Sequence, residues 1–184
     1  MRPALAGVER DSSTNRSPLK NTNTQVTFFI CANSGRGGIV PASITRHRPS
    51  LPLPEWPFSA HEVIVPCTGK LQPEHFLKAF EAGADLVCVI ACEETNCHYL
   101  EGSRRMQRRF AYVGGLLDEI GLGGERFLMF TLPGSAREDM ACGCGQAQKN
   151  RPEREEEIGK KMAAISEEVA VRLKKLGESP LKRK

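Results

Sequence analysis

Leu86-Val87-Cys88-Val89-Ile90-Ala91, running into Cys92, is apolar at every position. A strand with one wet face alternates apolar and polar residues. A strand that stays apolar throughout is covered on both faces, as in a parallel sheet sandwiched by helices. Upstream of this run, Phe76, Leu77 and Phe80 line one helical face, Pro73 suits the first turn, and Gly83 suits a left-handed end. Downstream, Met106, Phe110, Val113, Leu117 and Ile120 recur at helical spacing before Gly121. Arg126-Phe127-Leu128-Met129-Phe130-Thr131-Leu132 then reads as a further strand.

Two more strands precede these. Gln25-Val26-Thr27-Phe28-Phe29-Ile30 is β-branched and aromatic and ends at Cys31-Ala32-Asn33-Ser34-Gly35. Glu62-Val63-Ile64-Val65 is short and stops at Pro66-Cys67-Thr68-Gly69. Between them, residues 35–60 hold three glycines and five prolines, which speaks for a long loop. A last helix is expected after a Gly- and Cys-bearing loop at 133–149. Asn150 suits its cap and Pro152 its first turn, and Ile158, Met162, Ile165, Val169 and Leu173 form one apolar stripe. Acidic residues near its start and basic ones near its end suit the helix dipole. Docking on the sheet is the default for that stripe, and docking on a partner is the alternative.

Alternating strands and helices predict an α/β fold: a small parallel sheet of about four strands flanked by helices, with a C-terminal helix. The expected organisation is a disordered extension over 1–24, an α/β domain over 25–133, and a Cys-bearing loop with a charged amphipathic helix over 134–184. The 184 residues suffice for one such core. A net charge of +4, from 26 basic and 22 acidic residues, is too mild to indicate nucleic acid. No run is long and apolar enough for a membrane span, and the first ten residues lack a signal-peptide core. A cytoplasmic location is expected.

Seven cysteines are many for such a chain, and in a reducing compartment clustered cysteines indicate metal or redox chemistry. Their placement matters more than their number. Cys31, Cys67 and Cys92 each follow or end a strand, and Cys97 lies in the loop after Cys92. Parallel strands would gather all four at the carboxyl edge of the sheet, where open α/β sheets place ligands. Four thiolates suit an iron–sulfur cluster or zinc, and the spacing lacks the paired CxxC of a zinc ribbon. Cys88, inside the apolar strand, reads as a packed thiol. Cys142 and Cys144 form a CxC, either incidental or supplying substitute ligands.

The run Val65-Pro66-Cys67-Thr68-Gly69-Lys70, the run Leu77-Lys78-Ala79-Phe80-Glu81-Ala82-Gly83-Ala84-Asp85, and Cys92 followed by Cys97-His98-Tyr99-Leu100-Glu101-Gly102 resemble the delta subunit of methyl-viologen-reducing hydrogenase. Arg108-Arg109 and Leu116-Leu117 continue the likeness, which covers roughly 25–133. It implies a small 2Fe-2S subunit relaying electrons from a hydrogenase or formate dehydrogenase to the flavin-bearing subunit of a heterodisulfide reductase-type complex. It makes Cys67, Cys92 and Cys97 the firmest ligand candidates, with Cys31 weaker. The family's cysteine pair after the first strand is incomplete here, since Ser34 stands where the second is expected.

Competing readings are a cluster-free adaptor, a structural zinc module, and thiol–disulfide chemistry between neighbouring cysteines. His98 could ligate a metal, hydrogen-bond a cluster sulfur, or simply pack its loop. Arg104, Arg105, Arg108 and Arg109 form a basic stretch, either a solvated face or a dock for an acidic partner. Cys67-Thr68-Gly69-Lys70 lacks the upstream glycine of a phosphate loop. No nucleophile or acid–base pair stands out, which fits an accessory electron-transfer role in an oxidoreductase complex.

Overall fold

The structure, a computed structural model, describes residues 24–34, 55–134 and 151–182. The expected extension up to residue 23, most of the Pro-rich loop, Asn150, and the CxC of Cys142 and Cys144 fall outside these residues. Strands β1 (Gln25–Cys31), β2 (Ser59–Val65), β3 (Leu86–Cys92) and β4 (Phe127–Leu132) form one sheet in the order β2-β1-β3-β4. Every pairing is parallel. Helix α1 (Pro73–Glu81) joins β2 to β3, α2 (Gly102–Glu119) joins β3 to β4, and α3 (Arg151–Leu176) follows β4.

All seven residues of β3 are buried. Even-numbered side chains on β1 and β3 (Val26, Phe28, Ile30, Leu86, Cys88 and Ile90) pack against Ile158, Met162, Ile165, Val169 and Leu173 of α3. Odd-numbered ones (Phe29, Val87 and Val89) pack against Phe76 and Phe80 of α1 and Met106, Val113 and Leu117 of α2. The period of two along each strand thus feeds two cores, one per face. Burying each large apolar side chain contributes about 1.5–3 kcal/mol, so the α3 stripe secures that helix to the sheet.

β2 starts at Ser59, three residues before the apolar run suggests. Ser59, Ala60 and His61 pair with Gln25, Val26 and Thr27. Their strand conformation comes from backbone hydrogen bonds offered by β1, which no side-chain pattern announces. Arg126 belongs to a single 3-10 turn before β4, not to the strand.

The chain leaves β1 towards β2 and then returns across β1 to build β3 and β4. The carboxyl ends of β1 and β3 are therefore neighbours whose following loops diverge. This is the topological switch point of the sheet, where the fold opens a crevice.

Candidate functional site

Cys31 ends β1 and Cys92 ends β3, so the switch point carries one thiol on each wall. Ile30 pairs with Ile90, which sets the two strand ends nearly level. Cys31 Sγ and Cys92 Sγ lie 3.5 Å apart. Cys67 follows β2 by two residues, before a 3-10 turn at Thr68–Lys70, and its thiol hydrogen-bonds with that of Cys31. Cys97 closes the loop after β3 and joins Cys31 and Cys92 in one buried cluster. Each of these four residues is at most 6% exposed, and none is in a disulfide.

Glycine makes this convergence sterically feasible. A Cβ on Gly102, the first residue of α2, would lie 2.5 Å from Cys67 Sγ and 3.3 Å from Cys97 Sγ. A Cβ on Gly69 would lie 2.6 Å from Gly102 Cα. The two glycines let the turn after Cys67 and the start of α2 touch backbone to backbone, with two sulfurs against the contact. Arg109 Nη1 donates to Gly69 O at 2.6 Å and fastens that turn to α2. The loop between Cys97 and Gly102 folds back through Leu100, whose φ is 63°, and Leu100 N donates to Cys97 O at 3.0 Å. A left-handed leucine costs about 1–2 kcal/mol, so local strain accompanies the placement of α2.

Ser34 is fully buried beside the cysteines. Its Oγ donates to Cys31 O at 2.7 Å, and its backbone bridges to Gly134. It anchors the loop after β1 to the loop after β4. Asn33 Nδ2 donates to Pro66 O at 2.8 Å and ties the same loop to the residue before Cys67.

The Cys31 and Cys67 thiols resist ionisation in this setting. A hydrogen bond from Cys67 lowers the Cys31 pKa, but the Cys92 hydrogen bond and burial outweigh it and push it up to about 11. Cys67 is pushed up further, by its hydrogen bond with Cys31 and by burial. Four adjoining buried thiols cannot all shed protons unless a cation compensates the charge. Among the described residues, no three His, Cys, Asp or Glu side chains converge at the spacing of a single metal ion.

The donor set nevertheless suits an iron–sulfur cluster on three observations. Four cysteines from three loops meet, a two-glycine cradle leaves no room for side chains beside their sulfurs, and Ser103 Oγ is buried without a hydrogen-bond partner. A buried hydroxyl without a partner is uncommon and calls for an explanation. Neither the glycine contacts nor the unpartnered hydroxyl was legible in the sequence, because both arise from contacts between loops distant along the chain.

The remaining candidates lie elsewhere or are already engaged. Cys88 is fully buried in the core beneath α3, and burial raises its pKa strongly. His98 is half-buried, and its ring meets that of Tyr99 in a T-shaped contact with centroids 4.7 Å apart. Arg105 pairs with Glu101 at 3.0 Å and Arg104 with Glu94 at 4.0 Å, so the basic stretch partly neutralises itself. No described helix is long and apolar enough to cross a membrane.

A family model for the methyl-viologen-reducing hydrogenase delta subunit matches residues 26–150. The iron-sulfur subunit of the F420-non-reducing hydrogenase vhu from Methanococcus maripaludis is 30% identical over 157 residues, covering 85% of this chain and 96% of that protein. Its counterpart in Methanocaldococcus jannaschii is also 30% identical, with the same coverage. One polypeptide of the ferredoxin:CoB-CoM heterodisulfide reductase from Methanosarcina mazei is 31% identical over 71 residues, 39% of this chain and 9% of that protein.

Proposed function

The chain belongs to the methyl-viologen-reducing hydrogenase delta-subunit family, and from that premise we propose that it holds a 2Fe-2S cluster on Cys31, Cys67, Cys92 and Cys97. In this reading it relays electrons between a hydrogenase or formate dehydrogenase and a heterodisulfide reductase-like flavoprotein. The observation that carries the proposal is the buried convergence of four free cysteines at the sheet's switch point.

The cluster would supply a one-electron carrier. The chain's own residues do the rest. The four thiols lose their protons on binding and provide the anionic ligands. The positive end of α2, at Gly102, lies against Cys67 and Cys97 and favours that charge. Burial keeps water from the sulfurs, and the Asn33 and Ser34 hydrogen bonds hold the loop behind Cys31 in place.

The names of the relatives support an iron–sulfur cofactor, and the partial match to a heterodisulfide reductase polypeptide supports the partner. A segment similar to 71 residues of this chain lies within that larger polypeptide. Covalent linkage there supports the reading that this chain works beside a heterodisulfide reductase-like flavoprotein.

Anaerobic purification tests the reading. The expected protein is brown, contains iron and acid-labile sulfide in equal amounts, and becomes paramagnetic on one-electron reduction. It should also co-purify with a flavin-bearing protein of the heterodisulfide reductase type. One tightly bound zinc in colourless protein would overturn the cluster in favour of a structural module. Intact complex formation without metal would leave an adaptor.

A further inference from the structure

We propose that the Ser103 hydroxyl is a positioning and tuning group that donates a hydrogen bond to a sulfur of the bound cluster. This inference rests on the cluster reading above. Ser103 is 1% exposed, and its Oγ has no hydrogen-bond partner. It occupies the first turn of α2, next to Gly102, which lies against Cys67 and Cys97. A serine in a helix ordinarily returns its hydroxyl to the carbonyl three or four residues back. Here those residues belong to a non-helical loop, with Leu100 at positive φ and Tyr99 O already accepting Glu101 N at 2.7 Å.

Leaving a hydroxyl buried without a partner costs about 1–3 kcal/mol. A residue with a methyl side chain would avoid that cost and suit a helix better. A partner that arrives with the cofactor would remove that cost. Inorganic sulfide of a cluster held by the four cysteines would be an acceptor of the right kind. A donor to a cluster sulfur stabilises the more negative, reduced state and raises the reduction potential.

The test compares anaerobic wild-type protein with Ser103→Ala and Ser103→Thr. Iron and sulfide are measured first, then the midpoint potential by redox titration followed by electron paramagnetic resonance. Ser103→Ala should keep its iron and sulfide and show a lower potential. The reduction equilibrium constant should fall by up to about tenfold, which for one electron is about 59 mV. Ser103→Thr should restore the wild-type value. An unchanged potential in a fully loaded Ser103→Ala protein overturns the inference while leaving the cluster intact. Absence of iron and sulfide from the wild-type protein overturns the cluster reading itself. If Ser103→Ala does not retain its cluster, the isosteric pair Ser103→Thr and Ser103→Val carries the comparison. A lower potential, or loss of iron, in the Val variant alone supports the inference. Equal behaviour of the pair overturns it.

Discussion

Asp85 Oδ2 accepts a hydrogen bond from Lys182 Nζ at 2.6 Å, between residues 97 positions apart. The same fully buried carboxylate accepts from Gln25 N at 2.7 Å and from Ser179 N at 2.5 Å. Arg126 completes the arrangement, donating to Asp85 O, Leu176 O, Gly177 O and Glu178 O. The start of β1, the residue before β3 and the segment after α3 are fastened together at the edge of the sheet opposite the cysteines. Gly177, at φ 64°, turns the chain out of α3 and towards this latch.

Asp85→Ala should cost about 3–5 kcal/mol in urea denaturation, because it leaves the Lys182 charge, the buried Ser179 N and the part-buried Gln25 N without their acceptor. Lys182→Ala should cost less, since the carboxylate keeps its two backbone donors. Equal losses would show that the ion pair alone holds the latch.

Replacement of Cys97 by Ser should strip most iron from anaerobically purified protein, while Cys88→Ala should keep it. Cys88 packs under α3, away from the other thiols. Its truncation should register only as a stability loss of about 1 kcal/mol. Iron content and thermal unfolding, measured on both variants, separate the two roles.

Gly102→Ala should abolish cluster retention with little loss of helical circular dichroism. The added methyl would sit 2.5 Å from Cys67 Sγ, so either that sulfur or the start of α2 must move. Gly115→Ala, on the same helix with nothing within 4 Å of the new Cβ, should keep full iron content.

Metal-free protein should lose stability as pH rises above 9. The Cys31 thiol keeps its proton up to about pH 11 in the folded chain, against 9.0 for the free thiol. Its contribution is complete below pH 9, where both states are protonated. It falls between 9 and 11 as the unfolded chain alone ionises. One unit of that window removes up to about 1.4 kcal/mol, and Cys67 and Cys88, also shifted up, add to the slope. Urea midpoints at pH 8 and pH 10 check the direction, and metal loading should remove the contribution of the ligand thiols.

Much of the fold was legible because its signals are local. The unbroken apolar run of β3 marked a strand covered on both sides, and both cores are there. The α3 stripe named the five residues that meet the sheet. Pro73 and the glycines at 83 and 121 stand where the helix ends were expected. The first three residues of β2 were not legible, because pairing with β1 makes them a strand.

The sequence by itself determined the parallel α/β plan, and hence that cysteines placed after strands would share one edge. Strand spacing and apolar periodicity suffice for that, since each is a property of neighbouring residues. Tertiary structure alone decided how those cysteines meet. The strand order β2-β1-β3-β4 put Cys31 beside Cys92. The contact of Gly69 with Gly102 brought Cys67 to Cys97. Ser34, at the position of an expected cysteine, became a buried anchor, and Ser103 became a buried donor without an acceptor. These relations depend on which distant loops pack together, and packing between loops leaves no periodic trace in the chain.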